Sequence, residues 1–142
     1  MLAEHERLRV IVTGTDRERE LVETVASIAG ERVTTLSGTL SLKQLAALAK
    51  RASLFVANST GPLHIAATVG TPVVGLYPQI TALSAARWGP YTSRKSILSP
   101  KDKPADCRKC LGGTMPCECM SSISVEAVYQ ASLTQLTTVL QR

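Results

Sequence analysis

Asn58-Ser59-Thr60-Gly61-Pro62, with His64 just beyond, gathers hydroxyls, a glycine and an imidazole at the start of an alanine-rich run. A hydrophobic run, Leu54–Ala57, ends abruptly at this turn. Gly70-Thr71-Pro72 then leads into a second one, Val73–Tyr77. The order reads as strand, polar turn, helix, glycine stop, strand. A helix start offers unpaired N–H groups and partial positive charge, so Ser59, Thr60 and Gly61 stand where a phosphate can be held. Gly61 admits close approach of a ligand, and Pro62 suits the first helical position. The plainer reading is an ordinary helix cap, because Asn, Ser and Thr are common there. His64 falls in the first helical turn. It is either a neutral histidine satisfied by nearby backbone or a donor to the same anion.

Gly14-Thr15-Asp16-Arg17-Glu18 follows another hydrophobic run. It reads as a turn and helix start whose acids complement the helix dipole, or as a place where a carboxylate meets ribose hydroxyls. It is not a dinucleotide fingerprint, since no G-x-G-x-x-G occurs. Four cysteines run Cys107-x2-Cys110-x6-Cys117-x-Cys119 inside a cysteine-rich loop over 105–120. Their middle spacing is shorter than usual for zinc, and a Cys-x-Cys pair is awkward for one tetrahedral ion. Zinc, reduced structural thiols and disulfides all stay open. The chain shows no serine–histidine–acid triad, no ligand-spaced histidine pair and no clear pair of catalytic carboxylates, and only two histidines occur.

A length of 142 residues suffices for one domain, expected over 1–142. Hydrophobic residues make up 44% and aromatics 4%, so the core must come from Val, Leu, Ile and Ala. The net charge of +5 favours anionic partners, a nucleotide or membrane phosphates among them. No Arg-rich stripe with interleaved aromatics points to nucleic acid. No apolar run approaches the roughly 20 residues of a membrane span, and the first ten residues lack a signal-peptide pattern. The expectation is a soluble, cytoplasmic protein.

The elements that must position these residues alternate. Leu8–Val12 reads as a strand and Arg17–Ala29 as a helix, with Leu21, Val22, Val25, Ile28 and Ala29 at helical spacing. Val33–Leu36 is a brief strand, and Ser41 caps a helix over Leu42–Arg51. Leu54–Ala57, Pro62–Val69 and Val73–Tyr77 follow as strand, helix and strand. Pro78–Pro104 reads as loop-rich, broken by Pro78, Pro90, Pro100 and Pro104, and Ser124–Leu140 as a closing helix. Strands alternating with helices predict an α/β, Rossmann-like parallel sheet with helices on both faces. Ligands of such folds sit beyond the carboxyl ends of the strands. Thr13–Glu18, Ser37–Ser41, Asn58–Gly61 and Tyr77–Thr81 are the loops found there.

The stretch LSGTLSLKQLAAL (36–48), together with 58–67, 70–78 and 123–128, resembles the carboxyl-terminal domain of the glycosyltransferase family 9 heptosyltransferases. These enzymes build the inner core of bacterial lipopolysaccharide. The resemblance runs from Leu8 onward, and STGPLHIAA is its most specific block. It implies one half of a GT-B fold that holds a nucleotide-sugar donor, usually ADP-heptose, without metal or other cofactor. The amino-terminal GT-B domain would supply the acceptor site, for a lipopolysaccharide-type acceptor, and the catalytic aspartate. Peripheral contact with the inner face of the inner membrane goes with such an acceptor. By this resemblance Thr60 and Gly61 match the diphosphate motif, and His64 stands beside them. Ser59 stands where many members have aspartate. Glu18 matches a ribose ligand, with Glu20 as its alternative, and Leu40 and Ser41 match the turn along the base. A cysteine-rich segment also occurs in many members. Two other readings are half of a GT-B nucleotide-sugar epimerase and a non-catalytic binding module organised by zinc.

Overall fold

In the computed structural model, residues 2, 8–101 and 119–140 are described, with the side chains of 138–140 left aside. Cys107, Cys110 and Cys117 lie outside the described residues, as does His5. The chain divides into two compact units, Met1–Leu45 and Ala46–Arg142.

In the first unit, strand β1 (Val10–Gly14) leads through a 3-10 turn (Asp16–Glu18) into helix α1 (Arg19–Ala29) and strand β2 (Val33–Ser37). β1 and β2 pair in parallel, from Val10 opposite Val33 to Gly14 opposite Ser37. The first strand thus runs two residues past the expected Val12. Thr13 is β-branched and suits a strand, and Gly14 keeps the ladder because its neighbour needs the room. A Cβ at Gly14 would lie 2.8 Å from Val22 Cγ2, and Val22 is the buried residue of α1. Helix α2 (Leu42–Arg51) spans the boundary between the units. Its start carries a reciprocal cap: the Gln44 N–H donates to Ser41 Oγ at 3.3 Å, while the Ser41 N–H donates to Gln44 Oε1 at 2.8 Å.

The second unit holds β3 (Phe55–Asn58), α3 (Gly61–Thr68), β4 (Val73–Leu76), α4 (Ala85–Trp88), β5 (Lys95–Leu98) and α5 (Val125–Leu140). The three strands are parallel, in the order β3-β4-β5. Val73 and Val74 are both fully buried. Neighbouring side chains on a strand point to opposite faces, so the central strand is covered on both. On one face Val73 and Tyr77 pack with Ala49, Leu63, Ala66 and Ala67. On the other, α5 lies over β4 and β5, and Gln135 Nε2 donates to the hydroxyl of Ser96, the register partner of Val74, at 3.0 Å. Helix, parallel sheet and helix form the expected α/β layers.

The stretch expected to be loop-rich, Pro78–Pro104, also contains α4 and β5. β5 escapes a sequence pattern because it is four residues long, with only Ile97 and Leu98 strongly apolar. Pairing with β4 makes it a strand. No helix among the described residues is long and apolar enough to cross a membrane.

Candidate functional site

Both units present their candidate residues at the carboxyl ends of their strands. In the second unit Asn58 is the last residue of β3, paired with Leu76, so only Ser59 and Thr60 separate strand from helix. The Ser59 N–H donates to the Leu76 carbonyl at 3.0 Å, and the Leu63 N–H closes on the Thr60 carbonyl at 3.1 Å. Thr60 is the extended residue before α3, yet no side chain caps the helix. Its hydroxyl turns back to donate to the Asn58 carbonyl at 3.2 Å. The Gly61 N–H stands at the first helical position, where no intrahelical carbonyl can reach it, and Pro62 follows it.

Gly61 does not adopt a left-handed backbone. A side chain there would meet no heavy atom within 4 Å. Space outside the turn, not strain within it, is what glycine contributes. His64 is half-buried on the first turn of α3. Its carbonyl accepts the Thr68 hydroxyl at 2.8 Å, while its ring makes no hydrogen bond among the described residues. Ser59 is also half-buried. Nearby, burial pushes the Tyr77 phenol up from the ordinary tyrosine value, with the Ser59 side chain a smaller opposing influence.

In the first unit the loops after β1 and β2 are stitched together. The Gly38 N–H donates to the Gly14 carbonyl at 2.9 Å. Gly38 has φ +64°, and a Cβ there would lie 2.8 Å from Asp16 Cβ, so glycine is required on both counts. Arg19 reaches Asp16 Oδ1 at 2.6 Å and the Ser37 carbonyl at 3.4 Å. Glu18 folds back: its Oε2 accepts the Thr15 N–H at 2.8 Å and the Thr15 hydroxyl at 2.7 Å. The backbone bond first, then the hydroxyl, holds its pKa below the usual glutamate value. This is the helix-start role of the sequence alternative, and it leaves Oε1 for a further partner. Ser41 is occupied in the α2 cap, and Leu40 immediately precedes it.

Ser59, Thr60, Gly61 and His64 therefore meet at one turn. Glu18, Leu40 and Ser41 lie on two adjoining loops of the other unit. Sequence reasoning missed two polar groups. Tyr77 read as the end of an apolar strand, but its hydroxyl is committed to a loop contact: it donates to the Trp88 carbonyl at 2.8 Å. Ser37 Oγ is buried and has no hydrogen-bond partner among the described residues, which the pattern VTTLS gives no means to foresee. No group of three or more His, Cys, Asp or Glu suited to a metal occurs among the described residues.

A family model described as glycosyltransferase family 9 (heptosyltransferase) matches residues 1–116. Over 89 residues the chain is 37% identical to the lipopolysaccharide core heptosyltransferase OpsX of Haemophilus influenzae, a match spanning 63% of this chain and 25% of that protein. It is 32% identical over 91 residues to a putative glycosyltransferase of the same organism, spanning 26% of it. Among solved structures, a glycosyl transferase family 9 protein of Veillonella parvula superposes with a TM-score of 0.75 at 26% identity, covering 92% of this chain and 37% of that one. The E. coli ADP-heptose lipopolysaccharide heptosyltransferase II gives a TM-score of 0.73 at 17% identity, covering 96% and 40%, a likeness of fold. The chain thus spans about a quarter of the length of the curated relatives it matches.

Proposed function

The chain belongs to glycosyltransferase family 9, and we propose that it is the part of such an enzyme that holds the nucleotide-sugar donor by its diphosphate. The observation that carries this reading is the start of α3: a two-residue turn at a strand's carboxyl end, an uncapped helix, and open space at Gly61. A helix capped for stability alone would use Thr60 as its cap. Here the Thr60 hydroxyl turns to Asn58 and caps none of the helix's first N–H groups.

In the reaction an acceptor hydroxyl attacks the anomeric carbon of the sugar, and the bond from that carbon to the phosphate oxygen breaks. The hydroxyl proton passes to a base, and the electron pair leaves with the diphosphate. Charge grows on the departing phosphate. The Gly61 N–H and the α3 dipole oppose it with fixed positive ends that need no rearrangement. His64 can add a donor, as can the Thr60 hydroxyl after rotating from Asn58. The described residues carry no evident base for the acceptor, which fits a base supplied by an amino-terminal domain. The likeness to a lipopolysaccharide core heptosyltransferase supports a heptose donor and a lipopolysaccharide-core acceptor. An ADP link, a cytoplasmic location and peripheral contact with the inner membrane complete the proposal.

The test is a calorimetric titration of the chain with ADP, UDP and GDP, alongside an assay for transfer from ADP-heptose to a core acceptor. The expected result is diphosphate binding near millimolar, about −4 kcal/mol, with ADP preferred and no turnover. Turnover by the chain alone would show that it carries its own base, and failure of all three nucleotides to bind would remove the donor role.

A further inference from the structure

The second unit is electrically one-sided. Its described residues carry Lys50, Arg51, Arg87, Arg94, Lys95 and Lys101 against a single acid, Glu126. That acid is engaged by Gln130, whose Nε2 donates to Glu126 Oε1 at 2.7 Å. The ion pair between Arg19 and Asp16 belongs to the first unit. Among the described residues, then, nothing balances the positive charge of the second unit.

Four of these cations stand on one rim, at the amino ends of the strands and so at the end of the sheet opposite the α3 turn. Hydrogen bonds build that rim from three segments. The buried Thr71 hydroxyl donates to the Ala49 carbonyl at 2.6 Å, which fixes the last turn of α2 with Lys50 and Arg51. The Phe55 N–H donates to the Pro72 carbonyl at 2.9 Å, and the Val73 N–H to the Arg94 carbonyl at 3.0 Å. Arg94 Nη2 donates to the Gly70 carbonyl, and Lys95 Nζ to the Pro90 carbonyl at 2.9 Å. Lys50, Arg51 and Lys95 are exposed. The α2 dipole accounts for Lys50 and Arg51 at its carboxyl end, but not for Arg94, Lys95 or the ring that follows Pro90. Tyr91 is fully exposed. Trp88, with the Arg87 guanidinium 5.6 Å from its ring centre, is half-exposed. These two are the exposed aromatics among the described residues.

We propose that this rim is a contact surface for an anionic lipid bilayer. Lys50, Arg51, Arg94 and Lys95 meet the headgroup phosphates. Tyr91 and Trp88 sit at headgroup level, where amphipathic rings are favoured. Charge brought by three separate segments to one end of a sheet suits a surface. A nucleic-acid strand calls for successive stacking rings along a basic groove, and two aromatics three positions apart do not supply them. The proposal rests on the function proposed above for the presence of a membrane and adds the surface that meets it. Because the rim and the α3 turn lie at opposite ends of the sheet, lipid and nucleotide do not compete.

Trp88 is the chain's one tryptophan, so its fluorescence reports on this surface alone. The experiment follows its emission and the chain's cosedimentation with two kinds of vesicle, phosphatidylcholine alone and equal parts phosphatidylcholine and phosphatidylglycerol. The anionic vesicles should pellet the chain and shift the emission to the blue. The neutral ones should do neither, and added salt should reverse the binding. Lys50→Gln/Arg51→Gln and Lys95→Gln should each weaken it about fivefold per charge removed, and Tyr91→Ser should weaken it without changing the charge. Arg32→Gln/Lys43→Gln takes the same charge from the first unit and should cost less. All these variants should bind ADP as the wild type does. Equal losses from Arg32→Gln/Lys43→Gln, sedimentation without a blue shift, or tighter binding to single-stranded RNA than to the anionic vesicles would overturn the proposal. So would a wild-type chain that ignores the anionic vesicles, and ADP binding in that sample would leave the donor reading standing. Vesicle binding without ADP binding removes the donor reading and keeps the lipid surface. If Lys95→Gln does not fold, Lys50→Gln/Arg51→Gln and Tyr91→Ser decide it.

Discussion

Gly61→Ala should push stability and nucleotide binding in opposite directions. A Cβ at Gly61 meets no heavy atom within 4 Å, and the residue does not need a left-handed backbone. Replacing a glycine whose conformation alanine tolerates removes freedom from the unfolded chain, worth about 0.4–1 kcal/mol. For a chain of this size that raises Tm by about 1–4 °C. The new methyl group would stand in the open space beside the turn, where a phosphate approaching the Gly61 backbone must pass. A phosphate seated there would lose one charge-assisted hydrogen bond, worth about 1.5–3 kcal/mol, or roughly 10- to 150-fold in Kd. Gly61→Val should remove binding altogether while the far-ultraviolet circular dichroism stays native, because the turn is at the surface. The two assays are thermal denaturation and calorimetric titration with ADP on the same preparations. Folded Gly61→Val protein that binds ADP as tightly as wild type would refute the reasoning and reduce the turn to a helix start.

Ser37→Ala removes a buried hydroxyl that has no partner among the described residues, so it should leave stability unchanged or raise it by up to about 1–3 kcal/mol in urea unfolding. A loss of more than about 1 kcal/mol would mean the hydroxyl is satisfied in solution. Glu18 has a lowered pKa in the fold, so its contribution is complete above the ordinary glutamate value of about 4.3 and is lost as pH falls through its lower folded value. Carbon-13 titration should place its carboxyl midpoint below about 4.3. A midpoint at or above that value would deny the Thr15 contacts. His64→Ala should weaken ADP binding about three- to tenfold with Tm nearly unchanged, because its ring makes no hydrogen bond among the described residues that folding would lose; equal ADP affinities would remove His64 from the site.

The alternation of apolar runs with helical spacing was enough to read β1 to β4, α1 to α3 and α5, because long or strongly patterned elements carry their own signal. β5 and α4 were not readable. Four residues such as Lys95–Leu98 become a strand through pairing with β4, and nothing in their own order says so. The α3 turn was legible because hydroxyls, glycine and proline have fixed meanings at a helix start. Its geometry was less so. That the Thr60 hydroxyl turns back to Asn58, and that Gly61 serves space and not conformation, depends on dihedral angles that residue types do not dictate. Glu18 was read two ways, and its bonds to Thr15 show the capping role directly. The polar role of Tyr77 is not legible because an aromatic at a strand end ordinarily signals packing, and its hydroxyl finds its partner, the Trp88 carbonyl, only in the fold.

The central claim is that the start of α3 holds a nucleoside diphosphate. The most direct measurement is an amide chemical-shift titration of the isotope-labelled chain with ADP, UDP and GDP. The account predicts saturable shifts for at least one of them, near-millimolar in midpoint, concentrated in residues 58–66. Saturable binding that shifted no amide in that segment, or no binding by any of the three, would contradict it.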